Sequence, residues 1–555
     1  MELTSYQKKI VTFFNDNPNS NMYINAKAGC GKSFIATQLL KDVDRNSIYL
    51  AFNKSIAKEM KEKITNPKVK ICTIHSLCNS ILLYNLSQKA NNQTGGLGKN
   101  RNTSSKLDNL KIYKILNDIF MQDKDINKDI HKDYRFFLTE NYVKLYNLVR
   151  LKVIDLDKGF EAKMKISEIV NEQGVFFHES YHKPAPDETL TLIRQVDKKS
   201  LEMFEKEQVY DFTDMLYITL NKLRNKEWEV PGWNLYTNIV ADESQDLSTI
   251  QLFLLKYIKR KGGRYIFILD YRQAIYAFSG ANSSSYQLIK KLFAPIKEFE
   301  LPINYRCAVS HLDLVNKLHK IGIKPCDTAP IGKIERIGKS KCIELAQAGD
   351  YIVGRKNKWL LPVTLELIKK GKPVYIKDEG FVKEIERLIE KTKSDSIIDL
   401  ERKILLKEKR LSEKLTNEKD NQQKEEENTV EIEADAIIFT QDSEDKSGQM
   451  EMFSAIKMLL VSFKEKYTTH SKSQFLKYVQ TMLNTTSSKN CIMITSIHCV
   501  KGLEANNVFV LNEGKAVIDG NMSAEQRQQE FNLSYVALTR AKENLYLVKP
   551  EGEEY

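Results

Sequence analysis

Long apolar runs are missing from this 555-residue chain, since none approaches the roughly 18 residues that a membrane-spanning helix needs. The eight cysteines lie far apart and form no CxxC pair, a spacing that is typical of reduced thiols rather than of a disulfide framework or a cysteine metal cluster. The segment Met1–Ser5 lacks the charged and apolar regions of a secretion signal. We therefore expect a cytoplasmic protein without membrane contact, in the host cytoplasm if a phage encodes it and in the nucleus if a eukaryote does.

The composition is that of an ordinary globular protein, with 42% apolar and 28% charged residues. The formal net charge is +12, from 85 lysines and arginines against 73 aspartates and glutamates. A basic balance of this size favours an anionic partner, of which nucleic acid is the commonest. A lysine-rich surface without such a partner explains the charge equally well.

Short β-rich apolar runs alternate with helical patterns such as Ser33–Lys41 and Ser55–Ile64. Alternation of this kind predicts α/β domains built on parallel sheets. The predicted strands are Met22–Ala26, Ser47–Phe52, Val69–Ile74, Asn238–Ala241, Tyr265–Leu269, Tyr351–Val353, Val374–Ile376, Ile492–Ile497, Val508–Leu511 and Leu545–Val548.

The spacing of these strands predicts two α/β domains, each interrupted by a mainly helical insertion. The predicted parts are residues 1–83 and 208–300 for the first domain, 84–207 for its insertion, 301–377 and 490–555 for the second domain, and 378–489 for its insertion. The first insertion is predicted to open with a polar loop over Ser87–Ser105. The charged middle of the second, Glu401–Glu427, is predicted to be a solvated helix or partly disordered.

A phosphate-binding loop is predicted between the first strand and the helix that follows it. Small residues there let backbone N–H groups turn toward the phosphates of a nucleotide, and the helix N-terminus adds partial positive charge. Lys32 would contact the β/γ oxygens and Ser33 would hold Mg²⁺. Ala26 stands where the strict pattern has Gly, so a chance GxGKS segment is the alternative. The candidate nucleotide-binding residues are Ala26, Lys27, Ala28, Gly29, Cys30, Gly31, Lys32 and Ser33.

Two acidic residues follow the apolar segment Ile239–Ala241, at the end of a predicted strand. This position places carboxylates at the rim of a parallel sheet. Asp242 is the candidate Mg²⁺ ligand, and Glu243 is the candidate that orients and polarises the attacking water. An acidic pair after a strand is common by itself, but together with the loop of residues 26–33 it predicts ATP hydrolysis.

Further segments follow the order of the motifs of one enzyme family over nearly the whole chain. They are Leu3–Gln7, Ala51–Ser55, Thr73–Ser76, Asp211–Asp214, Asp242–Asp246, Asp270–Tyr276, Asn304–Arg306, Thr495–Glu504 and Tyr535–Lys542. In that order they resemble the Q motif, motifs Ia and Ib, the acidic-aromatic motif, and motifs II to VI of superfamily 1 helicases of the UvrD/Rep type. The resemblance implies two RecA-like domains. Lys501–Glu504 is similar to the branch that moves 3′ to 5′, and Phe52–Lys58 is also similar to the F-box helicase subgroup.

The resemblance implies roles for several residues around ATP. Gln7 would contact adenine, Tyr305 would stack on it, and Glu504 would meet the ribose. The implied catalytic residues are Lys32, Asp242, Glu243, Gln273, Arg306 and Arg540. Of these, Gln273 would sense the γ-phosphate, and the two arginines would neutralise the charge that develops on it. ATP is expected in a cleft between the RecA-like domains, which would close on binding and reopen on hydrolysis.

The resemblance also implies a path for nucleic acid across both domains. Tyr276 and Phe278 would stack bases, each stack contributing roughly 1–3 kcal/mol. The residues implied to hold phosphates or sugars are Asn53, Lys54, Thr73, His75 and His498. A core aromatic is the alternative for Phe278, and a structural histidine is the alternative for His75. Ser279 stands where the family has Arg, which puts one backbone contact in doubt. The chain ends at Tyr555, which predicts no long partner-binding tail.

One competing signature would change the enzyme class. The segment from His178 to His182 has the sequence HESYH and matches HExxH, a pattern in which two histidines on one helix face bind zinc. Pro184 and Pro186 follow almost at once and would end a helix that contained the pentad. No third ligand is evident, so we expect no zinc site.

The leading functional hypothesis is an ATP-dependent DNA helicase or translocase that uses Mg²⁺ and moves 3′ to 5′ on single-stranded DNA, with tailed duplexes as substrates. An RNA-directed motor is the second, because base stacking and phosphate contacts separate DNA from RNA only weakly. A nucleotide-gated clamp that binds nucleic acid without unwinding it is the third. DNA repair, replication and recombination all use such motors, and the sequence indicates no particular protein partner.

Overall fold

The structure of the protein, a computed structural model, divides into two compact units. Unit 1 comprises residues 1–27 and 31–301, and unit 2 comprises residues 28–30 and 302–555. The residues that the structure describes are 3–93, 106–122, 132–176, 183–276, 285–377, 385–390, 392–409, 453, 456–468, 471–483, 490–518 and 522–549.

The main sheet of unit 1 has six strands, all paired in parallel. The strands of the unit are β1 (Asn21–Ala26), β2 (Ser47–Ala51), β3 (Val69–Thr73), β4 (Lys106–Leu107), β5 (Val209–Tyr210), β6 (Tyr236–Ala241), β7 (Lys259–Leu269) and β8 (Ile296–Leu301). The order in the main sheet is β3-β2-β6-β7-β1-β8, and β4 pairs with β5 separately. Every residue of β2 and β6 is buried, as is usual for parallel strands covered on both faces.

Eleven named helices precede or connect the strands of unit 1, and four of them follow one another between β4 and β5. They are α1 (Ser5–Asp16), α2 (Lys32–Leu40), α3 (Lys54–Lys63), α4 (Ile74–Gln93), α5 (Lys111–Gln122), α6 (Lys132–Leu151), α7 (Gly159–Glu172), α8 (Pro186–Glu207), α9 (Phe212–Arg224), α10 (Thr249–Leu255) and α11 (Ser285–Leu292). Hydrogen bonds between residues close in sequence fix where several of these helices begin. Asp211, for example, accepts a hydrogen bond from the Asp214 N–H, while the Asp214 carboxylate accepts one from the Asp211 N–H, which is a reciprocal capping arrangement.

Helices α5 to α8 lie within residues 84–207, the predicted first insertion, and they have an apolar core of their own. Its fully buried members include Leu116, Leu145, Ile166 and Ile193. The apolar positions of α5 lie on one face, so the helix has a buried side and a solvent side. The insertion is therefore a folded part of unit 1 with its own hydrophobic stabilisation.

A buried cluster of charges joins the first insertion to helix α9. Lys111 Nζ lies 2.7 Å from Asp214 Oδ2, and neither side chain has any exposed surface. Arg150 also pairs with Asp214 and lies 3.0 Å from Asp197. The Arg150 guanidinium is 4.3 Å from the ring centre of Tyr217. Asp214 belongs to the acidic-aromatic segment noted in the sequence, and its carboxylate is the counter-ion of two insertion residues.

Unit 2 also has a six-stranded parallel sheet. Its strands are β9 (Ile303–Asn304), β10 (Lys324–Pro325), β11 (Lys333–Ile337), β12 (Tyr351–Gly354), β13 (Val374–Ile376), β14 (Ile492–Ser496), β15 (Ala505–Leu511) and β16 (Ala541–Val548). The main sheet has the order β11-β16-β15-β12-β14-β13, and β9 pairs with β10 separately. The expected α/β class with two parallel-sheet domains is therefore confirmed.

The named helices of unit 2 are α12 (Val309–His319), α13 (Lys339–Leu345), α14 (Asn357–Lys369), α15 (Lys472–Leu483), α16 (Ile497–Val500) and α17 (Ala524–Leu538). Residues 385–390, 397–409 and 456–466 of the second insertion are also helical. Ile404 and Leu460 from these parts, together with Phe475 of α15, belong to the same apolar core as the sheet residues Ile352 and Ile494.

The predicted loop over Ser87–Ser105 is wrong in its first part. Helix α4 continues to Gln93, because its buried face, which includes Leu82 and Leu86, runs on from the start of the helix and no Gly or Pro interrupts residues 87–93. Residues 94–105 lie outside the described part of the chain, as do 410–427 of the predicted charged segment. Of the helices that the structure describes, none combines the length and apolarity that crossing a membrane requires.

Candidate nucleotide and nucleic-acid sites

The carboxyl ends of three neighbouring strands bring the predicted catalytic residues of unit 1 together. Strands β6, β7 and β1 are adjacent in the sheet. The phosphate-loop segment follows β1, Asp242 follows β6, and Asp270 follows β7. Because the strands are parallel, their carboxyl ends meet at one edge, where ligands bind in sheets of this type.

The backbone of the phosphate loop turns at two glycines. Gly29 has φ +68° and Gly31 has φ +82°, a left-handed conformation that side chains other than glycine adopt at a cost. Helix α2 begins at Lys32, and no side chain caps its N-terminus. The first N–H groups of the helix are therefore available to an anion, and the helix dipole favours phosphate there.

Lys32 and Glu243 form an ion pair at the start of α2. Lys32 Nζ lies 2.7 Å from Glu243 Oε1, and each side chain is 13% exposed. Burial by itself lowers the pKa of Lys32, but the charges of Glu243, Asp270 and Asp242 outweigh it and the net direction is upward. Lys32 is therefore held as a cation at the place where phosphate oxygens would arrive.

Asp242 is buried beside Glu243 and held at both carboxylate oxygens. The Tyr49 hydroxyl donates to Oδ2, and the Glu243 N–H donates to Oδ1 at 2.9 Å. Burial and the neighbouring Glu243 carboxylate raise the pKa of Asp242 to about 6, although Lys32 and the Tyr49 hydroxyl act in the opposite direction. A bound cation would remove the cost of keeping this carboxylate charged.

Gln245 links the acidic pair to the next strand. Its Nε2 donates to a Glu243 oxygen, and its Oε1 accepts from the Asp270 N–H at 3.1 Å. Gln273 Nε2 in turn donates to Asp270 Oδ2 at 2.7 Å. The structure thus brings Lys32, Glu243 and Gln273 into one hydrogen-bonded system through Gln245, a residue that we did not single out from the sequence although it lies within the motif II segment.

The residues around the loop fit Mg²⁺ bound together with a nucleotide. Ser33 in the first turn of α2 and Asp242 offer oxygen donors, which are the ligands that Mg²⁺ prefers. Within the described ranges, no group of three or more His, Cys, Asp or Glu side chains could hold a metal ion. Mg²⁺ in nucleotide sites takes one or two protein ligands and completes its shell from phosphate and water.

Gln7 is buried against the start of α1. Its Oε1 accepts from the Thr4 N–H at 3.0 Å, and its backbone N–H donates to Thr4 Oγ1 at 3.3 Å. Gln7 therefore takes part in a capping box of α1. The side-chain amide nitrogen of Gln7 takes no part in this capping box. Contact between Gln7 and adenine stays a prediction.

The three residues at the middle of the phosphate loop belong to unit 2 by their contacts. In that unit the Ala28 N–H donates to the Tyr535 hydroxyl at 2.9 Å, and Asn304 Nδ2 donates to the Ala28 carbonyl at 2.6 Å. The Tyr305 N–H donates to the Gly29 carbonyl at 2.9 Å. Tyr535 and Asn304 lie in the segments that resemble motifs VI and IV, but the sequence did not indicate that they bind this backbone.

Glu504 lies between two cations in unit 2. Arg306 Nε is 2.5 Å from one of its oxygens and Lys542 Nζ is 2.7 Å from the other. Burial alone would raise the pKa of Glu504, but Arg306 and Lys542 outweigh burial and hold it below its ordinary value. The structure thus brings together two predicted site residues, Arg306 and Glu504, while their roles toward a nucleotide stay predictions.

Arg540 is almost completely buried at the end of α17. Its guanidinium donates to the Val536 carbonyl at 2.8 Å and to Thr539 Oγ1 at 2.8 Å. These contacts satisfy carbonyl and hydroxyl groups at the helix C-terminus, where a cation is favourable. Arg540 therefore has a local stabilising role in this structure, and its role as an arginine finger stays a prediction.

The predicted phosphate-contacting residues of unit 1 lie where helices begin. Asn53 caps α3 by accepting from the Ile56 N–H at 2.9 Å, and Lys54 is exposed at the first position of that helix. Thr73 Oγ1 accepts from the Ser76 N–H at 3.2 Å, near the start of α4. Helix N-termini attract phosphate oxygens, so the placement of these residues suits a nucleic-acid backbone.

His75 packs against an exposed aromatic side chain. The ring centre of Phe212 lies 5.9 Å away in an edge-on arrangement, and Phe212 is 45% exposed. Burial lowers the pKa of His75, which keeps its ring neutral at pH 7. A neutral His75 would contact a phosphate or sugar by hydrogen bonding rather than by charge.

Tyr276 is stacked on Phe52, with ring centres 5.1 Å apart and an angle of 23° between the planes. Both rings are partly exposed. The pair therefore presents aromatic surface of the kind on which bases stack. Phe52 lies in the segment that resembles motif Ia but is missing from our predicted site residues.

Two further predictions fall on residues outside the described part of the chain. They are the base-stacking role of Phe278 and the HESYH pentad at 178–182. Pro186, which follows the pentad, begins helix α8.

His498 lies on the short helix α16, immediately after strand β14. Strand β14 is one of the inner strands of the unit 2 sheet. The side chain of His498 is half-buried at the carboxyl edge of that sheet. Its position fits a residue that contacts a ligand at this edge, and contact with nucleic acid stays a prediction.

Comparison with models of known protein families shows the family to which the chain belongs. The model of the UvrD/REP helicase N-terminal domain matches residues 3–294, and that of the UvrD-like helicase C-terminal domain matches residues 191–552. Each model covers more than half of the chain. The protein belongs to the UvrD-like helicase family. The expected resemblance to UvrD/Rep-type helicases, with two RecA-like domains, is therefore confirmed.

Individual known proteins resemble the chain to different extents. The probable DNA helicase II homolog of Mycoplasma pneumoniae is 23% identical over 94% of this chain and 81% of its own length. The ATP-dependent DNA helicase PcrA of Staphylococcus epidermidis is 24% identical over 54% of this chain and 38% of its own. The RecBCD enzyme subunit RecB of Borreliella burgdorferi is 34% identical over 26% of this chain. The chain thus matches 38% of the length of PcrA and 13% of that of RecB.

Proposed function

We propose that the protein is an ATP-dependent DNA helicase or translocase that moves 3′ to 5′ on single-stranded DNA and hydrolyses ATP faster when DNA is bound. The observation that supports this most is the connected arrangement at one edge of the unit 1 sheet. Lys32 pairs with Glu243, and Gln245 links Glu243 to Asp270 and so to Gln273. Three residues after Gln273 comes Tyr276, which stacks on Phe52.

This arrangement suits hydrolysis of a nucleoside triphosphate. Phosphate oxygens would compete with Glu243 for the Lys32 ammonium, because they carry more negative charge than one carboxylate. Glu243 would then be free to polarise a water molecule, while Gln245 still holds it by a hydrogen bond. Mg²⁺, held by Ser33 and Asp242, would neutralise part of the negative charge of the phosphates.

The same arrangement suits a link between nucleotide and DNA. Gln273, the candidate γ-phosphate sensor, and Tyr276, the candidate base platform, lie on one short segment after β7. A shift of Gln273 toward a phosphate would therefore move the segment that carries Tyr276. In unit 2 we propose that Arg306, Arg540, Tyr305 and Glu504 contact the nucleotide and that His498 contacts the nucleic acid. In unit 1 we propose nucleic-acid contacts for Asn53, Lys54, Thr73, His75 and Phe278.

Two measurements test the proposal. The ATPase rate should rise strongly when single-stranded DNA is added, and the apparent DNA affinity should fall with added salt as phosphate contacts are screened. Equal rates with and without polynucleotide would favour a nucleotide-gated clamp instead.

The second measurement is strand displacement on duplexes with a 3′ or a 5′ tail, made of DNA and of RNA. We expect unwinding of the 3′-tailed DNA duplex and little unwinding of the 5′-tailed one. A clear preference for 5′ tails would contradict the proposed direction, and a preference for RNA would contradict the proposed substrate.

A further inference from the structure

Tyr49 is a completely buried tyrosine whose hydroxyl contacts a candidate metal ligand. It lies in the middle of β2 and has 0% exposed surface. Strand β2 runs beside β6, with Tyr49 in register with Val240. Two residues beyond that position, the Asp242 carboxylate accepts a hydrogen bond from the Tyr49 hydroxyl.

The hydroxyl group of Tyr49 is not needed for the packing of side chains around β2. The other residues of β2 are buried as well, and a phenylalanine ring would occupy nearly the same volume as that of Tyr49. Burying a hydroxyl is unfavourable unless it finds a hydrogen-bond partner. Its contact with Asp242 offsets that cost, and it ties residue 49 to a carboxylate that lies 193 positions further along the chain.

The two carboxylate oxygens of Asp242 are held by different donors. Oδ2 accepts from the Tyr49 hydroxyl and Oδ1 accepts from the Glu243 N–H at 2.9 Å. The Asp242 N–H itself donates to the Leu50 carbonyl at 3.1 Å, so β2 also fixes the backbone at this point. A carboxylate with both oxygens and its backbone fixed cannot rotate freely, and the lone pairs left over point in set directions.

We propose that Tyr49 is a positioning residue for Mg²⁺-nucleotide binding, acting through its hydrogen bond to Asp242. This inference rests on the proposed function, because it places a Mg²⁺-nucleotide at the loop of residues 26–33. Partners that orient the ligands of a metal ion contribute to its affinity without touching it. Tyr49 orients Asp242 in this way, so that the carboxylate meets the cation without first losing rotational freedom.

The direct test is Tyr49→Phe, which removes one oxygen atom. The matched control is Tyr236→Phe, because Tyr236 is also completely buried, lies in the neighbouring strand β6, and donates its hydroxyl to Asn234 Oδ1 at 3.0 Å. ADP binding at equilibrium is measured by calorimetry with Mg²⁺ and again with EDTA. The ratio of the two affinities reports the contribution of the metal alone.

We expect the unaltered protein and Tyr236→Phe to have the same affinity ratio. In Tyr49→Phe the ratio should fall by roughly 10-fold, the lower end of what is typical for partners of metal ligands, while ADP affinity in EDTA stays unchanged. The Mg²⁺ concentration that half-saturates the ATPase should rise in the same variant, and excess Mg²⁺ should restore the rate.

Three outcomes separate this inference from the proposed function. An unchanged affinity ratio in Tyr49→Phe would overturn the inference. So would an equal loss of ADP affinity with and without Mg²⁺, since that result indicates a structural role. If the unaltered protein bound ADP no more tightly with Mg²⁺ than with EDTA, the nucleotide site itself would be misassigned.

A second probe covers the case in which Tyr49→Phe folds poorly. Mn²⁺ replaces Mg²⁺ in the ADP complex of Tyr49→Leu or of the surviving fraction of Tyr49→Phe, and electron paramagnetic resonance reports the environment of the ion. A spectrum that changes in the Tyr49 variants but not in Tyr236→Phe supports the inference. Identical spectra in all of them overturn it.

Discussion

The Lys32 ammonium and the Glu243 carboxylate, 2.7 Å apart, neutralise each other inside the candidate ATP site. A phosphate oxygen that enters the loop would have to displace the Glu243 carboxylate from the Lys32 ammonium. The exchange replaces one anion by another at the ammonium, and it leaves the carboxylate able to act on water. If a nucleotide binds as proposed, the two residues change roles together, which makes their variants informative as a pair.

Replacing Lys32 should abolish hydrolysis. In Lys32→Ala the loop loses the cation that we propose to contact the β/γ-phosphates, and Glu243 loses its partner. We expect the DNA-stimulated ATPase to fall by at least about 100-fold, as for other residues that stabilise charge in a transition state. Lys63→Ala is the control, because Lys63 forms an exposed pair with Glu59. Normal ATPase in Lys32→Ala would refute the phosphate-loop assignment.

Glu243→Gln should separate binding from turnover. The amide keeps the shape of the side chain but cannot accept a proton from water, so ATP should still bind while hydrolysis falls by roughly 10² to 10⁴-fold. Equilibrium binding of ATP and single-turnover hydrolysis measure the two effects. Near-normal turnover would mean that Glu243 is not the general base.

Loss of the stacked aromatic pair should weaken DNA binding. Phe52→Ala or Tyr276→Ala removes one ring of the pair, and base stacking contributes about 1–3 kcal/mol per base. Fluorescence anisotropy with labelled single-stranded DNA should show a correspondingly weaker affinity. Phe160→Ala is the control, since Phe160 is 76% exposed on helix α7. An equal effect of all three substitutions would argue against a specific role for the pair.

Removing the shared carboxylate of the buried charge cluster should destabilise unit 1. Asp214→Ala leaves Lys111 and Arg150 buried without their counter-ion, which costs about 3–5 kcal/mol for pairs of this kind. Chemical denaturation measures the loss. Asp187→Ala, which breaks the exposed pair with Lys163, should have little effect because water screens that pair. Equal stability of the two variants would contradict the role of Asp214.

The contribution of the buried histidines to stability should fall as the pH drops below about 6.5, the ordinary pKa of histidine, whereas Asp242, whose pKa is raised to about 6, contributes in the opposite direction. Burial lowers the pKa of both His75 and His311 in the folded protein. Below the ordinary value the unfolded chain binds more protons at these residues than the folded chain does, so acid favours unfolding. The melting temperature of His75→Gln relative to that of the unaltered protein isolates the contribution of His75, and this difference should rise in favour of the variant from pH 7.5 through 6.5 to 5.5. An unchanged dependence in His75→Gln would contradict the contribution of that residue.

Sequence patterns identified the central strands of both main sheets correctly, but they missed the edge strands β8 and β11 and the short paired strands β4, β5, β9 and β10. The predicted run Ser47–Phe52 is β2 with one residue fewer, and it is apolar because neighbours cover it throughout. The strands Ile296–Leu301 and Lys333–Ile337 were not predicted. Each lies at the end of its sheet and pairs on one side only, so charged side chains are tolerated there and the apolar signal is weak.

The candidate site likewise combines features that short sequence segments predict with contacts between residues far apart in the chain. The loop of residues 26–33 and the acidic pair at 242–243 are short segments with the spacing that phosphate and Mg²⁺ chemistry needs, so the sequence alone was enough to identify them as candidates. The contacts of Tyr49 with Asp242 and of Lys111 with Asp214 join positions 193 and 103 residues apart. Only the tertiary structure decided those pairs, because no local pattern tells which buried hydroxyl or ammonium will meet which carboxylate once the strands and helices have packed.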